Sequence, residues 1–137
     1  MRGRDRRLHH HARGLLLARG RSADAERELR AAVFSPTGGY TRVNHDLGDL
    51  LVRLGRPRDA IAVLEPVLRG GIDGSNAYVT HAEVHELLAR AWSDAGEPAR
   101  ALPHLRYVVT AWRRADPAYA PRRRAAERAL ARVSGGR

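Results

Sequence analysis

The sequence predicts an all-α protein built from repeated pairs of helices. Three observations predict it: a five-position pattern recurs three times, apolar residues follow a helical period in the copies, and a glycine separates the two helices of each copy. The pattern is Gly-x4-Ala-x3-Leu-x2-[Ala/Val]-[Val/Leu]. It begins at Gly20, Gly55 and Gly96, which lie 35 and 41 residues apart. The low aromatic content, 5%, suits a helical core better than an aromatic-rich β-sandwich.

The first unit is expected over about residues 6–34. Its second helix carries the pattern residues Ala25 and Leu29 after Gly20. Arg13 stands where the other two units have a small residue, so the pattern does not define where the first helix of this unit begins. A loop of composition Ser-Pro-Thr-Gly-Gly follows at residues 35–39.

The second unit is expected over about residues 41–69. Its first helix has an apolar stripe with helical spacing: Val43, Leu47, Leu50, Leu51 and Leu54. The turn reads Gly-Arg-Pro-Arg-Asp. Glycine can adopt the left-handed conformation that ends a helix, and Pro57 suits the first turn of the next one.

The third unit is expected over about residues 80–115, after a glycine-rich loop at 70–77. Thr80-x-x-Glu83 predicts a capping box that opens its first helix. The stripe of the second unit recurs in this helix as Val84, Leu88, Ala91, Trp92 and Ala95. The turn is Gly-Glu-Pro-Ala-Arg.

Small residues recur where paired helices should touch. Gly48 and Ala89 on the first helices, with Ala60 and Ala101 on the second helices, would let each antiparallel pair approach closely.

A last helix is expected at about 120–134. Its apolar stripe is Ala125, Ala126, Ala129, Leu130 and Val133, and its arginines, including Arg122, are expected on the other side. Such a helix would cap the repeats with a polar face.

This organisation resembles the tetratricopeptide repeat over about residues 6–115. Leu47-Gly48, Leu51, Gly55, Ala60 and Leu64 match the family pattern, and the third unit has Ala89 and Trp92 at the corresponding positions. The resemblance implies one domain over 1–137: a right-handed α-solenoid of about three antiparallel helix pairs plus a C-terminal capping helix. Residues 78–88 and 111–117 also resemble the C-terminal repeat tails of long bacterial signalling proteins, so a regulatory fragment with a truncated start at Met1 is one alternative.

The resemblance also implies a function, because this family binds peptides in the concave groove lined by its first helices. The face opposite the core stripe carries Arg42, His45, Asp49 and Val52 in unit two, Glu83, Glu86, Arg90 and Ser93 in unit three, and Arg7, His10, Gly14 and Leu17 in unit one. We take Arg42, His45, Asp49, Glu83, Glu86 and Arg90 as the candidate peptide-binding groove. The competing interpretation is that they are ordinary solvent-facing residues. The partner would be a protein or peptide, with a non-catalytic role in interaction.

The charge pattern gives the alternative of another class, an arginine-rich nucleic-acid binder. The formal net charge is +10, and all 25 basic residues are arginine. Residues 1–30 carry a net +5, residues 31–99 a net −3 and residues 100–137 a net +8. Basic ends can bind phosphates. Arginine without lysine is also typical of a GC-rich genome, and no aromatic residues interleave with the arginines as a stacking platform needs.

The sequence contains no recognisable catalytic or metal-binding motif. There is no cysteine, no Gly-x-Ser-x-Gly elbow and no phosphate-binding glycine loop. His9, His10 and His11 are consecutive and would point in different directions on a helix. His81 and His85 share a helical face, but their glutamate is not placed as in zinc peptidases, so we expect packing or capping roles. We expect no enzyme, no metal site and no cofactor.

No secretory signal peptide is expected in this sequence. The apolar run at residues 14–18 is shorter than a secretory signal requires, and no stretch approaches the roughly 18–20 apolar residues of a membrane span. A cytoplasmic location without membrane contact is therefore expected.

Overall fold

A computed structural model of the protein describes residues 20–32, 42–69 and 79–136. All regular structure in these ranges is helical, which confirms the all-α prediction for them. The α-helices are α1 (Ser22–Ala32), α2 (Arg42–Arg53), α3 (Pro57–Arg69), α4 (His81–Asp94), α5 (Pro98–Ala111) and α6 (Ala120–Gly135), and two short 3₁₀ helices, Trp112–Arg114 and Pro117–Tyr119, precede α6. The expected first helix of unit one, the groove residues assigned to it and both predicted loops lie outside the described residues.

Glycine turns join α2 to α3 and α4 to α5. Gly55 has a φ of 72° and Gly96 a φ of 80°, in the left-handed region that only glycine adopts readily. The Arg56 N–H donates to the carbonyl of Leu51, and the Glu97 N–H donates to the carbonyl of Trp92, each at 2.9 Å. These six-to-one hydrogen bonds close a Schellman motif at each helix end. Each following helix then begins at a proline, as predicted.

The start of α4 is fixed by the predicted capping box. The Glu83 N–H donates to the Thr80 hydroxyl at 3.3 Å, and the Thr80 N–H donates to the Glu83 carboxylate at 2.8 Å. Two backbone donors that α4 could not pair internally are thereby satisfied.

The most extensive helix contacts lie within the pairs α2–α3 and α4–α5, followed by α3–α4 and α5–α6. A Cβ atom on Gly48 would lie 2.8 Å from the Leu64 side chain, so α2 and α3 meet where only glycine fits without a shift. Ala60 and Ala101, the matching positions on α3 and α5, are completely buried. The small residues therefore lie at helix contacts, as the sequence predicts.

The C-terminal helix α6 packs on α5 and on the 3₁₀ helices. Ala126 of α6 is buried, and so are Val108 of α5 and Trp112. The Trp112 ring lies 5.2 Å from that of Tyr119, which belongs to the second 3₁₀ helix. The apolar stripe of α6 thus covers the end of the α4–α5 pair.

No helix in residues 20–32, 42–69 or 79–136 is long and apolar enough to span a membrane.

The α4–α5 contact can be tested with one substitution at two positions of α5. Ala101 is fully buried, whereas Ala99 is exposed. We expect Ala101→Leu to lower the free energy of unfolding by about 1–3 kcal/mol through overpacking. Ala99→Leu should change it by less than about 0.5 kcal/mol. Urea denaturation measures both, and equal values for the two variants would contradict the assignment of Ala101 to the contact.

The covering role of α6 predicts the effect of truncation. Deleting residues 118–137 removes α6, so Val108 and Trp112 lose their cover and the exposed apolar surface should promote association. Light scattering should show oligomers or aggregates. As a control, a chain that ends at Val133 keeps the packed part of α6 and should stay monodisperse. A 1–117 fragment that is monodisperse and as stable as the parent would contradict the covering role of α6.

Candidate functional site

The candidate site is a cleft of about 380 Å³ bounded by α2, α4 and α6 and floored in part by α5. Two reversals of the chain, at Gly96 and between residues 112 and 119, bring α6 beside α4. The cleft is lined by His45, Asp49, Glu83, Glu86, Leu87, Ala89, Arg90, Ser93, Leu105, Val108, Arg122, Ala125, Ala126, Ala129 and Arg132.

The floor of the cleft is apolar. Leu87, Leu105 and Val108 contribute buried side chains from α4 and α5. On the α6 side the lining residues between the arginines are alanines, including Ala125, which is exposed. The short alanine side chains leave space between α6 and α4. An apolar floor under a polar rim can bury the side chain of a bound segment while its polar groups meet the rim.

Arg122 joins α6 to α4 at one end of the cleft. Its guanidinium forms a hydrogen-bonded ion pair with Glu86, with Nε 3.0 Å from Oε2, and its Nη1 lies 3.7 Å from the Glu83 carboxylate. The guanidinium carbon also lies 4.8 Å from the centre of the Trp112 ring. The hydrogen bond to Glu86 raises the pKa of Arg122 despite its partial burial. The pair therefore joins α6 to the predicted groove face of α4.

Charged residues also line the cleft away from Arg122. Asp49 of α2 pairs with Arg53 at 3.0 Å, and Arg90 of α4 has a longer contact of 3.8 Å with Asp94. Both pairs connect residues four apart on one helix, so they do not bridge the cleft. Arg132 of α6 lines the cleft as well. The rim therefore presents charges of both signs on separate helices.

Five of the six predicted groove residues line this one cleft: His45, Asp49, Glu83, Glu86 and Arg90. Arg42 is not among the lining residues, and its Nε lies 3.4 Å from the Asp46 carboxylate on the same helix. Val52 was expected on the same face but is buried, 5% exposed, so that placement is wrong. Val52 belongs to the hydrophobic core because α1, α3 and α4 all contact α2, so more of the surface of α2 is covered than one apolar stripe predicts.

The α6 wall was missed by the sequence reasoning. Arg122 was expected to point away from the apolar stripe, yet it contacts Trp112, Tyr119 and Glu86. Arg122 lies four residues before Ala126 and seven before Ala129, which places it on the same side of the helix as the apolar stripe. This spacing is the one sequence signal for its position. Its partner Glu86 lies 36 residues away in sequence, and no local pattern gives that pairing.

The second polar feature is a histidine pair behind the cleft wall. His85 Nδ1 of α4 lies 2.8 Å from His104 Nδ1 of α5, and the His85 ring stacks on Tyr107 at 3.9 Å. In the preceding helix pair, Asn44 donates from Nδ2 to the carbonyl of Val63 at 2.8 Å. Both contacts join positions 19 residues apart, and they are offset by the 41-residue repeat distance. Equivalent positions of the two helix pairs therefore carry a polar contact between the helices.

Burial is the main cause of the low histidine pKa values. Burial, together with the charges of His104 and His81, lowers the pKa of His85 from 6.5 to about 4. Burial also lowers the pKa of His104, while the charge of Glu65 opposes that shift. The pair is neutral near pH 7, so one ring nitrogen can donate to the other. Within the described ranges no group of three or more histidine, aspartate or glutamate side chains is arranged to hold a metal ion.

Comparison with family models, with curated proteins and with solved structures finds no match to this chain.

The histidine pair predicts acid sensitivity. Folding lowers the pKa of His85, so the unfolded chain takes up a proton more readily than the folded chain. The free energy of unfolding is therefore highest above about pH 6.5 and falls as the pH decreases towards about 4. Allowing for solvent screening, we expect a loss of about 1–2 kcal/mol in the free energy of unfolding between pH 7 and pH 4.5. Chemical denaturation at several pH values measures it.

His85→Asn is the matched variant, because asparagine occupies the equivalent position 44 and there donates to a backbone carbonyl. This variant should show a smaller loss over the same pH interval, since only the burial of His104 then remains. Identical pH profiles for the variant and the parent would contradict the role of the pair.

Proposed function

We propose that the chain is a non-catalytic protein–protein interaction module of the tetratricopeptide type, which binds a peptide or partner segment in the cleft between α2, α4 and α6. Two successive helix pairs, α2–α3 and α4–α5, contact each other through α3 and α4. α6 packs on α5 as the first helix of a further pair would. This order supports a right-handed α-solenoid in which α2, α4 and α6 line one side.

The observation that carries the proposal is the cleft itself. Its volume of about 380 Å³ falls in the range of ligand sites, roughly 300–1,000 Å³. It is formed by three helices that are far apart in the sequence. Most of its polar rim consists of residues that the sequence predicts for the groove. Its size suits a few side chains of an extended peptide.

The distribution of charge supports selectivity for such a peptide. Arg122 is held by Glu86 and Glu83 at one place, whereas Arg90 and Arg132 line the cleft without a carboxylate partner from across it. Charges fixed at separate points discriminate between partner sequences, and they contribute more to orientation and association rate than to affinity. Following the sequence expectation, the proposal places the module in the cytoplasm.

The experiment is a selection of random peptides displayed on phage against the full chain, followed by titration calorimetry of an enriched peptide. Ala125 is exposed and lines the cleft, so Ala125→Trp should fill the space between α6 and α4 without removing a core contact. We expect this variant to bind the selected peptide about tenfold more weakly or worse, which corresponds to about 1.4 kcal/mol or more.

The matched control is Ala131→Trp, which places the same side chain on an exposed position of α6 away from the cleft. It should bind the peptide within about twofold of the parent, and both variants should melt at the parental temperature. Failure to enrich any peptide, or equal affinity of the two variants, would refute binding in the cleft.

A further inference from the structure

The arginines of the described residues fall into two groups that differ in their partners. Of the eleven described arginines before residue 112, nine lie within 3.8 Å of a carboxylate oxygen: Arg21, Arg27, Arg30, Arg42, Arg53, Arg56, Arg58, Arg90 and Arg100. Of the seven described arginines after residue 112, only two lie that close to a carboxylate oxygen, Arg122 and Arg123. Genome composition would raise the number of arginines everywhere, but it would not separate paired from unpaired ones.

The unpaired arginines of α6 form a row. Arg124, Arg128 and Arg132 are exposed and follow one another at a spacing of four residues, so each lies next to the next on the helix surface. Elsewhere in the described helices the residue four positions from an arginine is often an acid, as for Arg42 with Asp46 and Arg90 with Asp94. On α6 the nearby Glu127 pairs with Arg123 instead, at 3.4 Å.

This row is unfavourable for the isolated chain. Like charges four residues apart destabilise a helix by about 0.2–0.5 kcal/mol per pair. No carboxylate of the described residues forms an ion pair with Arg124, Arg128 or Arg132. Two more exposed arginines, Arg113 and Arg114, lie in the first 3₁₀ helix, and Arg123 Nη1 donates to the carbonyl of Arg113 at 3.3 Å. Five of the seven described arginines without an ion pair therefore lie after residue 112, and Arg69 and Arg106 are the other two.

We infer that the row Arg124, Arg128 and Arg132 is a binding surface for the phosphate backbone of duplex nucleic acid. Three guanidinium groups about 6 Å apart along a straight helix extend over about 12 Å, and a duplex carries a phosphate charge per strand about every 3.4 Å. Arginine forms paired hydrogen bonds to phosphate oxygens. Such contacts fix position without reading base sequence.

Other anionic partners fit this surface less well. A membrane-bound helix inserts its apolar face, but the apolar face of α6 is packed on α5, with Ala126 buried. Single strands are held by stacking on aromatic rings, and the rings nearest the row, Trp112 and Tyr119, face Arg122. The surface only adjoins the cleft: Arg132 belongs to both, whereas neither Arg124 nor Arg128 lines the cleft.

The test is fluorescence anisotropy of the full chain with a mixed-sequence DNA duplex and with an RNA duplex of equal length, at several salt concentrations. We expect the logarithm of the affinity to fall linearly with that of the salt concentration, with a slope of roughly −2 to −4. Arg124→Gln together with Arg128→Gln should weaken binding about tenfold or more at ~0.15 M salt and reduce the slope by about 2.

Two further variants separate this surface from net charge. Arg27→Gln with Arg58→Gln removes the same charge from two exposed, ion-paired positions and should bind within about twofold of the parent. Arg124→Lys with Arg128→Lys keeps the charge and should preserve the salt slope. The glutamine variant should retain parental helicity by circular dichroism, since like-charge contacts are removed. Ala125→Trp should leave duplex binding unchanged, which distinguishes this surface from the cleft.

The inference is overturned by any of three results. One is equal weakening by the two glutamine pairs, which would indicate a net-charge effect. Another is the absence of duplex binding at low salt. The third is binding to vesicles of anionic lipid or to poly-glutamate as tight as to the duplex at the same charge concentration, which would assign the surface to a membrane or to an acidic protein.

Discussion

The close approach of paired helices is the constraint on which the rest of the structure depends. α2 and α3 meet at Gly48, where a side chain would collide with Leu64, and the left-handed turn at Gly55 sets the two helices side by side. At this separation Asn44 reaches the carbonyl of the facing helix, and His85 reaches His104 in the next pair. One polar contact therefore joins the two helices of each pair, and the opposite faces of α2 and α4 contribute to the cleft.

The packing of α6 on α5 is supplemented by one ion pair and a small aromatic cluster. Arg122 lies against Trp112 and pairs with Glu86, so charge and aromatic packing act at the same point. A partly buried guanidinium needs both, because removing it from water is costly unless its charge is matched. By holding α6 beside α4, this contact gives the cleft its third wall, and the alanines of α6 keep that wall from filling the space.

The charges of the described residues fall on two adjoining surfaces. Around the cleft both signs of charge occur. Asp49 and Arg90 pair with a neighbour on the same helix, whereas Arg122 of α6 pairs with Glu86 and Glu83 of α4, and such a mixed rim suits selective contact with a partner segment. Along α6, Arg124, Arg128 and Arg132 follow one another at a spacing of four residues without a carboxylate partner among the described residues, which suits a uniform polyanion. Arg132 lies in both the cleft lining and the row, so the two surfaces adjoin at the C-terminal end of α6.

The sequence by itself determined the helices and their ends. Gly55, Gly96 and the Thr80–Glu83 box act on backbone groups within a few residues, so their patterns predict the turns and the capping box directly. Periodicity likewise predicted which faces are buried and five residues of the cleft. Only the tertiary structure decided the burial of Val52 and the inward direction of Arg122, since both depend on helices distant in sequence. It also decided which arginines have carboxylate partners, because pairs such as Arg58–Glu97 are set by packing and not by local spacing.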